Sequence, residues 1–404
     1  MMALGGPTLA LSPSPGSPMQ SMLSTLVPCR LMGATLATGL LGLAGVRAAL
    51  PMLAPDPEVR FAGLVDDWQD EAPGHRVLEM RAINPEYDFM SRTFLVLALA
   101  DRALANPAVA DHHIALMDTI IADTLSAEAA HEQDHWLMSY WRPDGTLGTG
   151  RSLFVDGEVL VMVTARRILR DDAPWLQAET ARRSELVRRN LGSGSDLPLA
   201  ESYADEGWLF CHGMALMGLR AEEVLDGVDH RPLFEAFSAT ARSQLRDTDG
   251  SGMLVSSFTM DGASLDGPEG SSIWFATAAL SVVDPALAQE QYALARGSLG
   301  RSILGLGYAR EWAEDSPGQI DVDSGPIVPL LDASTSSSGF AIAAARVHGD
   351  DRWSAQLDDA LGAAEALLRA SPELAEWASN PVGDAVIVWG QGVGPLFDRL
   401  RPAA

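Results

Sequence analysis

Carboxylates placed within or just ahead of apolar helical runs are the residues of this chain best suited to chemistry. Such positions can hold an acid protonated near neutral pH. Glu158 is the clearest case: it stands inside Leu153-Phe154-Val155-Asp156-Gly157-Glu158-Val159-Leu160-Val161-Met162, where an unpaired acid is costly to bury. Either it faces a polar cavity, or it pairs with an arginine such as Arg151. A second concentration runs from Glu201 to His212, where Tyr203, Asp205, Glu206 and Cys211 crowd one helix start and Asp205 is the expected N-cap. An ordinary capped helix with a small buried cysteine accounts for the same residues. The third is Asn84-Pro85-Glu86-Tyr87-Asp88, with Asp88 in a first turn, where the helix dipole alone favours a carboxylate.

Two further motifs are weaker. His131-Glu132-Gln133-Asp134-His135 is a literal H-E-x-x-H, which on a helix sets two imidazoles on one face for zinc, with Glu132 as base and Glu158 as a third ligand. Asp134 between the histidines and the early stop at Tyr140-Trp141-Arg142-Pro143 argue against it, and no metal is expected. Asp247-Thr248-Asp249-Gly250-Ser251 starts like a calcium loop but lacks the later glycine and closing glutamate, so it reads as a turn. Carboxylate pairs for glycoside hydrolysis can be drawn from Asp321, Asp323, Glu269 and Asp205.

Composition excludes much else. The sequence contains no lysine, which removes Schiff-base chemistry and the phosphate-loop lysine. Its formal charge of −26 repels phosphate backbones, so nucleic acid is not an expected partner. Of its two cysteines, Cys29 precedes an apolar N-terminal run and Cys211 stands alone in the remainder. A closed cysteine zinc site is thereby excluded.

The elements that must position these residues are helices. Residues 1–50 form a leader: Leu31 to Val46 is an uncharged run after Arg30, fitting a signal-peptide core with Val46-Arg47-Ala48 as processing site, or an uncleaved membrane anchor. Export is expected, to the periplasm or outward-facing on the membrane. From residue 55 to 404 apolar residues recur with helical period. Candidate helices fall near 88–105, 110–125, 127–140, 153–170, 173–190, 205–225, 231–246, 271–283, 285–300, 335–348, 352–370 and 382–399. Turn signals such as Arg142-Pro143-Asp144-Gly145 and Asp266-Gly267-Pro268 separate many of them. About twelve helices in sequential hairpins predict one all-α domain, an (α/α)6 barrel, with unequal loops such as the one from Arg310 through Pro326 at its mouth.

On these residues the chain resembles the linalool dehydratase/isomerase family over most of residues 80–395. Tyr87-Asp88-Phe89-Met90 is similar to that family's aspartate helix, Gly157-Glu158 to its Gly-His pair, and Ser202 through Cys211 to its segment with two cysteines nine positions apart. The resemblance implies the same barrel, and acid/base loss of water and double-bond movement on a tertiary alcohol with no cofactor. Asp88 and Cys211 keep the family's aspartate and second cysteine. Ser202 replaces the first cysteine, Glu158 the histidine, and Phe94 stands where the tyrosine is sought. The expected catalytic set is Asp88, Glu158, Tyr203 and Cys211, acting on a small apolar alcohol. Phe94, Ser202, Asp205, Trp208, Trp274 and Trp312 would hold it, the aromatic ones facing a developing cation. The family also implies a homo-oligomer. A carbohydrate-active barrel and a non-catalytic, membrane-tethered binding domain use the same cleft and remain as alternatives.

Overall fold

Asparagine or aspartate followed by proline opens four helical segments, and the reason is the same each time. The side chain accepts a backbone N–H of the first turn, while proline occupies a position that needs no hydrogen bond. Asn84 accepts from Glu86 at 2.8 Å, Asn106 from Ala108 at 3.2 Å, Asp284 from Leu287 at 2.9 Å and Asn380 from Gly383 at 2.6 Å. The computed structural model describes residues 57–69, 74–141, 150–192, 197–248, 250–313, 327–328, 331–370 and 380–402.

Within these residues the protein is mostly helical. The first helices are α1 (Pro57–Gln69), α2 (His75–Arg81), α3 (Pro85–Ala105), α4 (Ala110–His131), α5 (Leu153–Leu169), α6 (Pro174–Gly192), α7 (Leu209–Asp226) and α8 (Arg231–Ser243). They are followed by α9 (Gly270–Leu280), α10 (Pro285–Ser298), α11 (Thr335–Val347), α12 (Asp351–Ala370), α13 (Pro381–Gly392) and α14 (Pro395–Leu400). Seven short strands stand between helices, in one three-stranded sheet, β1 (Gly207–Trp208), β2 (Ser257–Phe258) and β3 (Ser264–Asp266), and two antiparallel pairs, β4–β5 (Gly300–Ile303, Leu306–Ala309) and β6–β7 (Ile327–Val328, Ala333–Ser334).

Six helices form a closed cycle of neighbours. α3 packs against α5, α5 against α7, α7 against α9, α9 against α11, α11 against α13, and α13 returns to α3. The helices between them cover the backs of this set: α4 lies on α3 and α5, α6 on α5 and α7, α10 on α9, α12 on α11, and α1 on α13. Phe237 of α8 stacks on His212 of α7 with ring centroids 5.5 Å apart. All eleven residues of α9 and fifteen of the seventeen in α5 are buried, so neighbours cover every face of these helices. The tightest approach is α5 to α7. A Cβ on Gly157 would come within 3.1 Å of Ala215, and one on Gly218 within 2.8 Å of Leu160.

The structure departs from the expected helices in three places. No helix covers 127–140: α4 continues to His131, Glu132 takes φ 59°, and Gln133–His135 form one 3-10 turn. The last predicted helix divides at Gly394 into α13 and α14. Helices α1 and α2 had no counterpart in the expectation. The leader with its 31–46 run, Cys29, the 142–145 turn, Asp249, Asp321 and Asp323 lie outside the described residues.

Candidate active site

Five helices of the cycle begin at one end, because hydrogen bonds join their starts. Tyr203, ahead of α7, donates its hydroxyl to Glu86 in the first turn of α3. Leu153 N at the start of α5 donates to Glu201 O at 2.8 Å, and Leu209 N at the start of α7 donates to Ser256 O at 2.9 Å. Ser256 Oγ accepts from Glu269 N, ahead of α9, at 2.7 Å. Glu311 joins α9 to α11: it accepts from Ser271 N and Oγ at 2.9 and 2.6 Å, and from Ser334 and Ser337 Oγ at 2.5 and 2.6 Å.

The centre of the cycle is filled by aromatic rings from five helices. Phe94 of α3 reaches Phe275 of α9 at 5.9 Å, Phe340 of α11 at 5.3 Å and Trp389 of α13 at 5.0 Å between centroids. Phe210 of α7 lies 4.2 Å from Phe275. Since α3 and α9 stand opposite each other in the cycle, these rings meet where its axis runs. Aromatic side chains therefore close the axis of the cycle at this level.

Glu158 is completely buried and is bonded to Thr93, the residue before Phe94 in α3. Its Oε2 accepts from Thr93 Oγ1 at 2.5 Å, while Oε1 has no partner among the described residues. Burial pushes its carboxyl up to about 8, the Thr93 hydrogen bond opposes this, and the charge of Glu86 adds to it. At neutral pH Glu158 thus carries its proton. Cys211 is nearby: burial pushes its thiol well up, Ser202 favours the thiolate, and Glu86, Glu158 and Glu206 disfavour it. The thiol stays neutral and is no ready nucleophile. Ser202 Oγ, fully buried, lies beside that thiol without a hydrogen bond of good geometry.

The structure brings together Glu158, Cys211, Ser202 and Tyr203, the last through Glu86. Trp208 stands on the same side, partly exposed, its indole N–H donating to Glu206 Oε1 at 2.5 Å. Phe94 is in the axial column. Asp88 is elsewhere. Residues advance by about 100° around a helix, so Asp88 and Glu86 point about 200° apart. Asp88 accepts from Arg92 Nε at 2.7 Å and lies 3.8 Å from Arg81 Nη1, while Arg92 sits over the rings of Trp68 and Trp136. Burial raises its carboxyl; both arginines oppose this.

Trp274 is buried against Tyr292 of α10 and Trp353 of α12, among the covering helices rather than in the axial column. Asp205 is no N-cap. It is an exposed turn residue with φ 53°, donating its N–H to Glu201 Oε1 at 2.8 Å, and Trp208 takes the cap position. Trp312, partly exposed, follows Glu311. Arg151 is the partner of Asp156 at 2.7 Å and of Glu128 at 2.7 Å, which leaves Glu158 to the interior.

The H-E-x-x-H histidines do not share a helix face, because α4 ends at His131. Their rings stack 5.0 Å apart, and burial, together with Arg81, lowers His135 to about 4. No group of three or more metal-ligating side chains is found among the described residues.

Sequence reasoning missed Glu86, Thr93, Phe210 and Glu311 as contributors. Seven positions separate Glu86 from Thr93, which puts them on one helix face, so the helical period carried that signal. For Glu311, whose four donors come from segments far apart in sequence, nothing local did. No family model matches this chain, and no curated protein matches it either.

Proposed function

We infer that the protein is a hydro-lyase or isomerase that protonates a small apolar, terpenoid-like alcohol, as a divergent relative of linalool dehydratase/isomerase. The observation that carries this reading is Glu158: a fully buried neutral acid at about pKa 8, one oxygen without a partner among the described residues, bonded to Thr93, the residue before Phe94. Glu158 donates its proton to the substrate hydroxyl. As water leaves, the positive charge develops beside the faces of Phe94 and Phe210, which favour a cation over a hydrated surface. Cys211 and Ser202 line the leaving oxygen's side; the Glu158 carboxylate then takes a proton from the carbon beside the cation, which closes the double bond and restores the acid, with the Tyr203–Glu86 pair standing behind. Asp88 is left out of the catalytic set because Arg92 and Arg81 hold it on another face.

The closed cycle of α3, α5, α7, α9, α11 and α13 supports assignment to an (α/α)6 barrel, with its active end at the joined helix starts. The uncharged run 31–46 supports export or tethering. Among the described residues no helix is long and apolar enough to cross a membrane. Paired-carboxyl hydrolysis of sugars fits less well. Glu269 has a carboxyl raised to about 8 by burial, Glu311 and Asp266, but both oxygens of its neighbour Glu311 are already engaged.

A gas-chromatography screen of the purified protein against tertiary allylic alcohols and the matching alkenes tests the proposal. Conversion is expected, at least a hundredfold slower in Glu158→Gln. Undiminished conversion in that variant, or turnover of glycans instead, removes it.

A further inference from the structure

Phe210 stands at one end of the aromatic column and differs from the other four rings. Phe94, Phe275 and Trp389 are wholly buried and Phe340 nearly so, whereas Phe210 is partly exposed. It occupies the first turn of α7, next to Cys211, at the end where Tyr203, Glu86 and Glu206 gather. Phe210 directly precedes Cys211, whose thiol feels the charge of Glu158, so the partly exposed ring stands beside the surroundings of that acid. Buried as it is, Glu158 is reached only when a neighbouring group yields. Partly solvent-facing side chains change rotamer readily, and fully packed ones do not.

We propose that Phe210 is the specificity-determining residue of the site, setting by its bulk how long an apolar alcohol can lie between the mouth and Glu158. This rests on the functional reading above and adds the substrate's size to it. The ring swings aside to admit the substrate and forms one wall of the space it leaves. Phe94, held by three further rings, forms the fixed floor. Truncation to alanine deletes a ring, roughly the bulk of one five-carbon isoprene unit, so the preferred alcohol lengthens by about one unit.

The test measures dissociation constants of the full chain for saturated secondary alcohols the size of one, two and three isoprene units. These carry the hydroxyl but do not form a stabilised cation, so they are not consumed. Phe210→Ala should raise the affinity ratio of the longer to the shorter alcohols by about tenfold or more, and Phe210→Trp should lower it. Phe210→Leu, a smaller change, serves should the alanine variant fail to fold. Unchanged ratios in folded variants that still bind alcohols overturn the role of Phe210 alone. Failure of every alcohol to bind the wild type overturns the functional reading and this inference with it.

Discussion

At the residue scale the decisive fact is which way neighbouring side chains face. Glu86 and Asp88 are two positions apart, yet one is joined to Tyr203 and the other is held by two arginines. Asp156 and Glu158 divide in the same way, the first into ion pairs with Arg151 and Arg183, the second into the interior beside Thr93. The sequence marked Glu158 as anomalous because an acid in an apolar helix has few ways to be satisfied. It marked Asp88 by resemblance and overlooked Glu86, since a first-turn glutamate is explained by the helix dipole without any function. Among the described residues Thr93 supplies the one hydrogen bond to Glu158, and it holds the pKa down. Thr93→Val is therefore expected to raise the Glu158 pKa above about 8, and to destabilise the fold by about 1–2 kcal/mol on chemical denaturation.

At the scale of elements, most helices were legible because they combine apolar periodicity with Asx-Pro starts, as α3, α10 and α13 show. The helix expected over 127–140 failed at Glu132, whose left-handed backbone ends α4. Nothing in Glu-Gln-Asp announces that turn. Gln133 there donates no cap but accepts Ser152 N at 2.9 Å, fixing the approach to α5. Arg183 of α6 illustrates what pins the covering helices. Fully buried, it bonds Asp156 of α5 at 2.5 Å, Glu179 of its own helix at 2.7 Å, and Glu128 of α4. Arg183→Ala removes one of the two arginine partners of Asp156 and leaves Arg151 in place, so a loss of about 1–3 kcal/mol is expected. Lysine, lacking the forked geometry, should recover only part of it. Urea unfolding of the three proteins checks both.

For the whole molecule, buried titratable groups set how stability follows pH. Glu158 and Glu269 are raised to about 8 and Asp101, which accepts Leu396 N at 2.8 Å, to about 7 by burial. Such acids bind protons more tightly folded than unfolded, so their contribution is lost as pH rises toward those values. His135 and His212 are lowered to about 4 by burial, and their contribution is lost as pH falls from about 6.5 toward 4. Between about pH 6.5 and 8 the histidines are neutral in both states and only the acids act. The melting temperature should therefore decline from pH 6.5 toward 8, in the same direction as the self-repulsion of a chain of charge −26. A melting temperature that climbs from pH 6.5 to 8 would show that these carboxyls are ionised in the folded protein.

Infrared difference spectra between the wild type and Glu158→Gln report the state of that one carboxyl without any substrate. The expected result is the carbonyl band of a protonated acid at pH 7, fading as pH passes about 8 and missing from the variant. A carboxylate band at pH 7 that disappears with Glu158 would contradict a proton donor at this position, and with it the acid-catalysed function.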